Sequence, residues 1–376
     1  MNPAGIYIHI PFCQKKCGYC DFYSLTRLQD RDNFVQALLT EIELVAPKYR
    51  DMTFDTIYLG GGTPTLLTTD QISLIWESMN HHFNIEKPGE FTIEANPGTI
   101  DLSKLSRLRE LGWNRLSLGA QSFNDSDLEF LERIHTVQDI FDGFWNARQA
   151  GFTNINLDLI TAFPGITVDK FENSLNQTIS LKPEHISCYS LIFEKGTQFY
   201  NRWQIGELEP MNSDESVPYL DVCRRMFSTA GYTGYEISNF ARSQKLRCKH
   251  NLKYWNHIAY LGFGPSAHSF ISPVRWKNHH SLTKYMDSLK KMQQPMAEEE
   301  ILSQQTLEFE YVFLRLRLRE GLDTHDFKKR FKNNFLNKYE KNITRLIEAG
   351  MIEQNRQYLR LSERGWFLAD EIASSF

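Results

Sequence analysis

Long apolar runs are missing from this sequence of 376 residues. No window of about eighteen apolar residues occurs, and the N-terminus does not join a basic region to an apolar run with a small-residue cleavage site, so we expect a cytoplasmic protein without a membrane span. Positive charge is not in excess either, because the formal net charge is −4. This balance argues against a strong overall attraction to nucleic acid or anionic lipid.

Cysteine is also scarce, with six residues in the whole chain. In a reducing compartment they do not indicate a disulfide framework. What the sequence does contain is 41% apolar and 23% charged residues, the composition of an ordinary globular protein that buries a core. Its length predicts one large domain and one smaller domain.

Three of the six cysteines are clustered in the stretch HIPFCQKKCGYCDFYS, as Cys13, Cys17 and Cys20. Buried inert thiols have no reason to lie at positions i, i+4 and i+7. A structural zinc site usually has four ligands in two separated pairs, and only one compact trio is present here. Three thiolates on a short loop suit an iron–sulfur cluster with one iron left open to a small molecule. We therefore favour a cluster over zinc, with both still open on spacing alone.

The N-terminal half alternates predicted strands with predicted helices. The strands are expected at 5–10, 55–59, 90–96, 115–121, 154–160 and 185–191, and the helices at 31–46, 101–111, 124–150 and 168–181. Such alternation predicts an α/β fold with a parallel sheet, either doubly wound or curled into a barrel.

Polar or glycine residues follow several of these strands. GGGTPT ends the second strand, and Glu94, Gln121 and Asp158 lie near the ends of later ones. Each alone is explained by a turn or a helix cap. Together with the cysteine loop after the first strand they predict one shared ligand site, because a parallel α/β protein gathers its site at the carboxyl ends of its strands.

These segments resemble a known family. YIHIPFCQKKCGYCDF, GGGTPT, IEANPGT, LSLGAQSFND and DLITAFPG, in this order, are similar to the radical S-adenosylmethionine (radical SAM) family around oxygen-independent coproporphyrinogen III oxidase. The resemblance covers most of the chain. It implies a partial (β/α)6 barrel with an open lateral side.

The resemblance also implies the cofactors and their ligands. Cys13, Cys17 and Cys20 would hold three irons of a [4Fe–4S] cluster, and S-adenosylmethionine would chelate the fourth, where a reduced cluster can cleave it to a radical. The residues implied for the cofactor are Tyr7 close to it, Gly61, Gly62 and Thr63 at its methionine end, Glu94 for its ammonium, Arg133 for its carboxylate, and Gln121 and Asp158 for its ribose. A surface salt bridge is the alternative for Arg133.

Two features distinguish branches of this family. The oxidases carry a further cysteine two residues after the third, and this chain has Phe22 there. HNLKYW, residues 250–255, resembles a motif of the heme-chaperone branch, which implies heme bound at or near His250. A hydrogen-bonded histidine in an aromatic corner is the alternative, and Cys248 is a second possible ligand or a plain thiol.

The segment NHIAYLGFGPSAHSF, residues 256–270, adds His257, His268 and several aromatic residues. Residues of about 205–295 are therefore the expected place for a macrocycle. One departure concerns DLITAFPGIT, where Ala162 stands in place of the family's glycine and must adopt its backbone angles. This change puts the adenine side of the cofactor pocket in doubt.

The C-terminal segment predicts a helix pair, a short hairpin and a final helix, a winged-helix-like α+β domain similar to the family's C-terminal domain. Residues 315–345 hold ten Lys or Arg against four Asp or Glu, too weak a basic patch to favour nucleic-acid binding. We expect a radical SAM core at 1–205, a connecting region with the HNLKYW motif at 206–295 and this domain at 296–376.

The resemblance leads to a functional hypothesis. The protein binds heme and passes it to an acceptor protein, with a [4Fe–4S] cluster, S-adenosylmethionine and an electron donor as further partners. Radical decarboxylation of coproporphyrinogen III is the alternative, with Phe22 tolerated, and a nucleic-acid binder whose cluster is structural is the third hypothesis. Whether S-adenosylmethionine is turned over stays open.

Overall fold

The computed structural model describes residues 2–376. Its N-terminal half contains the six predicted strands and the helices between them. The strands are β1 (Ala4–Ile10), β2 (Thr53–Gly61), β3 (Asn84–Ala95), β4 (Arg115–Gln121), β5 (Ile155–Thr161) and β6 (His185–Ser190). The helices are α1 (Arg31–Val45), α2 (Thr69–His82), α3 (Leu102–Leu111), α4 (Asp125–Phe130), α5 (Val137–Gln149) and α6 (Val168–Leu181).

Strands β1 to β6 lie side by side in sequence order, each parallel to the next. A doubly wound sheet would reverse its strand order at a switch point, whereas single winding in sequence order is the geometry of a barrel. The strands carry apolar runs because both faces are covered; every residue of β4 is buried. The expected partial (β/α)6 barrel is therefore confirmed.

Helix starts in this half follow local capping signals. The Thr68 hydroxyl accepts the backbone N–H of Gln71 at the start of α2, and the Gln71 side chain accepts the N–H of Thr68 in return. Thr136 and Asp139 form the same reciprocal arrangement at α5. Each such box satisfies backbone donors that the first helical turn leaves unpaired. Short 3₁₀ turns lie at Leu28–Asp30, Ala46–Tyr49, Pro64–Leu66, Gln244–Leu246 and Gly365–Leu368.

The middle region extends the sheet at both edges. Its elements are α7 (Gln198–Gln204), α8 (Ser213–Thr229), β7 (Thr233–Gly234), β8 (Asn239–Ala241), α9 (Lys249–Trp255), β9 (Tyr260–Phe263), β10 (His268–Ile271), β11 (Val274–Asn278), α10 (Leu282–Lys290) and β12 (Met296–Ile301). β9 pairs in parallel with β1 and continues through β10, β11 and β12, while β8 and β7 lie beside β6. The sequence did not predict this extension, which gives the barrel edges partners without closing it.

The C-terminal part has a core of its own. It contains α11 (Gln304–Leu316), β13 (Leu322–Asp323), α12 (Thr324–Phe331), α13 (Phe335–Lys338), α14 (Glu340–Glu348), β14 (Ile352–Asn355), β15 (Tyr358–Leu361) and α15 (Ala369–Ser374). The three strands form a small sheet, and side chains such as Phe327 and Leu359 fill a second hydrophobic cluster. This is the winged-helix-like α+β arrangement expected from the sequence.

The C-terminal part packs on the middle region. The Arg317 guanidinium lies 5.3 Å from the ring centre of Trp255, and Arg247 pairs with Glu320 at 2.6 Å. The domain limits stay a prediction, and β12 places residues 296–301 in the large sheet. Among the helices of residues 2–376, none combines the length and apolar composition that crossing a membrane requires.

Candidate functional site

The cysteine loop follows β1 and folds back on itself. The Cys13 N–H donates to the Leu25 carbonyl at 2.9 Å, and the Leu25 N–H donates to the Pro11 carbonyl at 2.7 Å. Within the loop the Cys20 N–H donates to the Cys17 carbonyl at 3.1 Å. These bonds bring all three predicted cysteines, each half-buried, onto the wall of one cavity of about 490 Å³ at the carboxyl ends of the barrel strands.

The three thiols influence one another electrostatically. Burial raises the pKa of Cys20 to about 11, and the neighbouring charges of Cys13 and Cys17 act in the same direction. Burial likewise raises the pKa of Cys13. Three thiolates therefore stand together here only when a positive group compensates them. In an iron–sulfur cubane each thiolate binds a different iron, whereas structural zinc usually takes four ligands, so three thiolates suit a cluster better than zinc.

The glycine loop after β2 fits closely against the cysteine loop. A Cβ on Gly62 would lie 2.5 Å from the Phe12 carbonyl oxygen. Gly61 has a φ of +109°, and a Cβ there would lie 2.6 Å from the His9 ring. Only glycine lets the two backbones approach this closely, which leaves room at the cavity wall for a ligand.

A chain of hydrogen bonds at the cavity wall links two of the thiols. The Thr63 hydroxyl donates to the Cys13 sulfur, and the Arg133 guanidinium donates to the Cys17 sulfur, each at 3.6 Å. Asn96 joins them, since its amide donates to Thr63 Oγ1 at 2.8 Å and its oxygen accepts from Arg133 at 2.6 Å. Donors to thiolate sulfurs stabilise the ionised form and tune a cluster. Arg133 thus does not form the alternative surface salt bridge.

Glu94 lies at the other side of the glycine loop. Its carboxylate accepts the Tyr58 hydroxyl at 2.7 Å and the Gly61 N–H at 3.0 Å. Burial raises the pKa of Glu94 to about 7, with the nearby Asp158 charge adding to the effect. An ammonium group of a ligand would favour the ionised carboxylate, which fits the predicted role.

Gln121 and Asp158 line the same cavity on the next strands. The Gln121 side-chain oxygen accepts the Tyr189 hydroxyl at 3.2 Å, and Asp158 accepts from Ser117 and Asn156 at 3.0 and 2.7 Å. Burial raises the pKa of Asp158. These acceptors suit hydroxyl groups of a ligand, and the assignment to a ribose stays a prediction.

Ala162 follows β5 with a φ of +53°, the left-handed region that favours glycine. The family resemblance implied this conformation. Ala162 is buried, so its methyl group is accommodated in the core.

Three predicted residues do not line the cavity. Thr63 is buried behind it and reaches Cys13. The Tyr7 hydroxyl is hydrogen-bonded to His9 Nδ1 at 3.0 Å, and the Tyr7 ring lies 6.2 Å from that of Tyr58, which does form the wall. The expected proximity of Tyr7 to the cofactor is therefore indirect.

His250 is the third predicted residue that does not line the cavity. It is 1% exposed, with Nδ1 bonded to Thr56 Oγ1 at 2.9 Å and Nε2 bonded to the Tyr254 hydroxyl at 2.8 Å. Both ring nitrogens are thus occupied, and burial lowers the pKa of His250 to about 3. Heme binding at or near His250 stays a prediction; in this conformation the ring is a hydrogen-bonded histidine among aromatic residues, as in the alternative. The Cys248 thiol is buried as well, 3.5 Å from Glu90.

Sequence reasoning missed several residues of the cavity. Asn96, Tyr58, Arg115 and Asn251 all line it. Asn96 lies inside the IEANPGT segment, and Asn251 follows His250 in the motif, but a single sequence gives no sign of which neighbour faces the cavity. Phe22 also lines the cavity, 58% exposed, at the position of the oxidases' additional cysteine.

A parallel partial barrel whose first strand leads into a CxxxCxxC loop, above a cavity closed by a glycine loop, defines a radical SAM protein. Residues 7–178 match the model of the radical SAM superfamily, and residues 302–368 match that of the HemN C-terminal domain. Coproporphyrinogen III oxidase (HemN) from Escherichia coli, described as a radical SAM enzyme, has a similar fold. Its TM-score is 0.87 at 24% identity, over 99% of this chain and 89% of that one.

Curated relatives define the branch. The heme chaperone HemW of Bacillus subtilis is 35% identical, with 98% of each chain covered. HemW of Mycobacterium tuberculosis is 34% identical, over 99% of this chain and 94% of the relative. The chain belongs to the HemW family.

Proposed function

We propose that this protein is a heme chaperone, which binds heme and hands it to an acceptor protein. Full-length similarity to chains named heme chaperone HemW carries the proposal, since the radical SAM cavity by itself is shared with enzymes. Phe22 supports it, because the side chain at the position of the oxidases' fourth cysteine has no sulfur.

The cluster site belongs to the same proposal. Cys13, Cys17 and Cys20 would hold a [4Fe–4S] cluster whose remaining iron takes S-adenosylmethionine. When bound, this group supplies one-electron reduction. The chain's own residues bind and orient: the glycine loop admits the methionine end, Glu94 accepts its ammonium, and Arg133 neutralises the thiolates and the carboxylate.

Further residues complete the cofactor pocket. Gln121 and Asp158 would accept the ribose hydroxyls, while Thr63 fixes the Cys13 sulfur. Tyr7 supports the wall through His9. These roles rest on the contacts described above and on the family resemblance.

Heme would bind at or near the HNLKYW helix, α9. Its His250 ring fixes Tyr254 through the 2.8 Å hydrogen bond. In this conformation His250 is a positioning residue, and direct ligation by it would require that one ring nitrogen give up its partner, either Tyr254 at Nε2 or Thr56 at Nδ1. We place the protein in the cytoplasm with an electron donor for the cluster and a heme-accepting protein as its partners.

Heme transfer is the test. The cluster-reconstituted protein is loaded with one equivalent of heme under anaerobic conditions and mixed with an apo-cytochrome; transfer should move the visible absorption to the acceptor. If heme does not bind at saturable stoichiometry, the proposal is wrong. The same protein incubated with coproporphyrinogen III, S-adenosylmethionine and reductant should form no protoporphyrinogen, and catalytic formation would establish the alternative, the oxidase.

A further inference from the structure

A second cavity lies between α11 and strands β9 to β11, outside the cluster site. It has a volume of about 290 Å³. We propose that this groove is the seat of the heme, with the imidazole of His257 as the iron ligand. The inference rests on the proposed function and specifies where the heme is held.

The walls of the groove are aromatic on both sides. Tyr254 and Tyr260 meet edge to face at 4.6 Å on the sheet side, and Phe270 continues that wall. Phe309 and Phe313 of α11 form the opposite wall, one helical turn apart with ring centres at 6.1 Å. Two facing aromatic walls suit a flat apolar ring system, which gains more from such surfaces than a compact ligand does.

His257 supplies the donor atom. Its side chain is 8% exposed and lines the groove, with its ring stacked on Phe270 at 4.4 Å. Nε2 is buried without a hydrogen-bond partner; the nearest carboxylate oxygen, of Glu310, lies 3.5 Å away. A buried imidazole nitrogen whose nearest polar neighbour is a carboxylate 3.5 Å away is only weakly satisfied, and iron is a ligand that can take the place of that neighbour. His250, by contrast, has both nitrogens bonded.

The backbone conformation at His257 also supports a functional role for this residue. His257 follows the C-terminal end of α9 with a φ of +53°. The Ile258 N–H returns to the Lys253 carbonyl at 2.9 Å and the His257 N–H to the Tyr254 carbonyl at 3.0 Å. Glycine usually occupies this position of a helix end, so a histidine there adds backbone strain that glycine would avoid. Such strain is often retained where the side chain has a function.

A guanidinium stands at the rim. Arg275 is 36% exposed and donates to Glu310 at 2.8 Å and to Glu300 at 2.9 Å. On binding, Glu310 would turn fully to Arg275 and free the space before His257 Nε2. A carboxylate of the macrocycle would then take the place of the more exposed partner, Glu300, at the Arg275 guanidinium.

The groove is open on one side, where Phe309 is 41% exposed. A heme carrier must release its heme. A single protein ligand on one face of the heme, beside an open edge of the groove, leaves the opposite face accessible to an acceptor protein. His250 acts through Tyr254, whose ring belongs to the wall. The sequence motif and the groove are thus parts of one site.

The test is an anaerobic heme titration of the full chain with its cluster, followed by the visible spectrum. His257→Gly suits the positive φ and removes the ligand; we expect at least about tenfold weaker binding and loss of the histidine-ligated spectrum. Added imidazole should restore that spectrum, which a purely structural role would not predict. His268→Ala, on the neighbouring strand and outside the groove, should match the wild type.

Two further variants separate the groove from its ligand. Leu314→Trp narrows the groove and keeps the His257 imidazole, so it should weaken binding about tenfold with an unchanged spectrum. His250→Gln should lower affinity and also leave the spectrum unchanged.

The results that would contradict the proposed function differ from those that would contradict the proposed heme site. Absence of heme binding by the wild type would overturn the proposed function and this site together. Wild-type binding with an unaltered spectrum and affinity in His257→Gly would overturn the site alone. Loss of the ligand spectrum in His250→Gln but not in His257→Gly would assign the iron to His250 instead, and unaltered affinity in Leu314→Trp would place the heme outside the groove.

Discussion

Replacing Gly62 by alanine should damage both the fold and the cluster site. The new Cβ would lie 2.5 Å from the Phe12 carbonyl oxygen and 3.0 Å from that of Ile10, and neither is the end of a flexible side chain. The backbones must separate, which stretches the hydrogen bonds from Gly62 N–H to Ile10 at 2.8 Å and from Thr63 N–H to Phe12 at 2.7 Å. Phe12 precedes the first cluster cysteine, so its thiol moves as well.

The size of the effect follows from two contributions. Overpacking costs about 1–3 kcal/mol, and weakening two hydrogen bonds adds roughly 1 kcal/mol. The total, about 2–4 kcal/mol, corresponds to a fall of roughly 3–5 °C in the midpoint of thermal unfolding for a chain of this size.

Thermal unfolding and iron content after anaerobic reconstitution are the two assays. Gly143→Ala is the matched control, because its Cβ would meet atoms no closer than 3.5 Å inside helix α5 and alanine favours a helix. We expect the control to keep wild-type iron and an equal or higher midpoint. Gly62→Ala with a wild-type midpoint and full iron would refute the steric reasoning.

Three other perturbations follow from the site and core. Cys17→Ala should abolish stoichiometric iron after reconstitution, whereas Cys188→Ala, buried in the barrel core, should retain it; equal iron in both would contradict the thiol assignment. Asn96→Ala interrupts the hydrogen-bonded chain between two thiols. The cluster should still form, but its visible absorption should bleach about tenfold faster in air. The control Asn80→Ala, on helix α2, should bleach at the wild-type rate. Burial raises the pKa of Glu41 to about 7, so the wild type loses stability as pH rises from about 4.5 to 7 and this carboxyl group ionises. Glu41→Gln cannot ionise, so its unfolding midpoint minus that of the wild type should rise across the same pH range. A difference that stays constant with pH would refute the raised pKa.

The role of the C-terminal part emerges from its contacts. Helix α11 gives Phe309 and Phe313 to the groove, and Arg317 of the same region covers Trp255 of the motif helix. The winged-helix-like module thus contributes one wall of the proposed heme seat. Some of its basic residues form ion pairs within the module, as Lys338 does with Glu308 at 2.6 Å and Arg330 with Asp326 at 2.8 Å.

Local signals in the sequence determined the barrel strands and the cluster loop. Cysteine spacing, a glycine run at a strand end and alternating apolar segments each act over a few residues, so the sequence alone predicts Cys13, Cys17, Cys20 and the glycine loop as site elements. The fold brings them to one cavity because carboxyl ends of parallel strands share an edge.

Tertiary packing decided the rest. Asn96 is one polar residue among many in the sequence, and only the approach of Thr63 and Arg133 makes it the link between two thiols. His250 was the conspicuous histidine of its motif, yet Thr56 and Tyr254 occupy both its nitrogens. His257 lines the second cavity because α11, about fifty residues later, packs opposite strands β9 to β11. Which side chains are buried, and which of those lack a partner, depends on contacts between distant segments, and a short sequence window does not contain them.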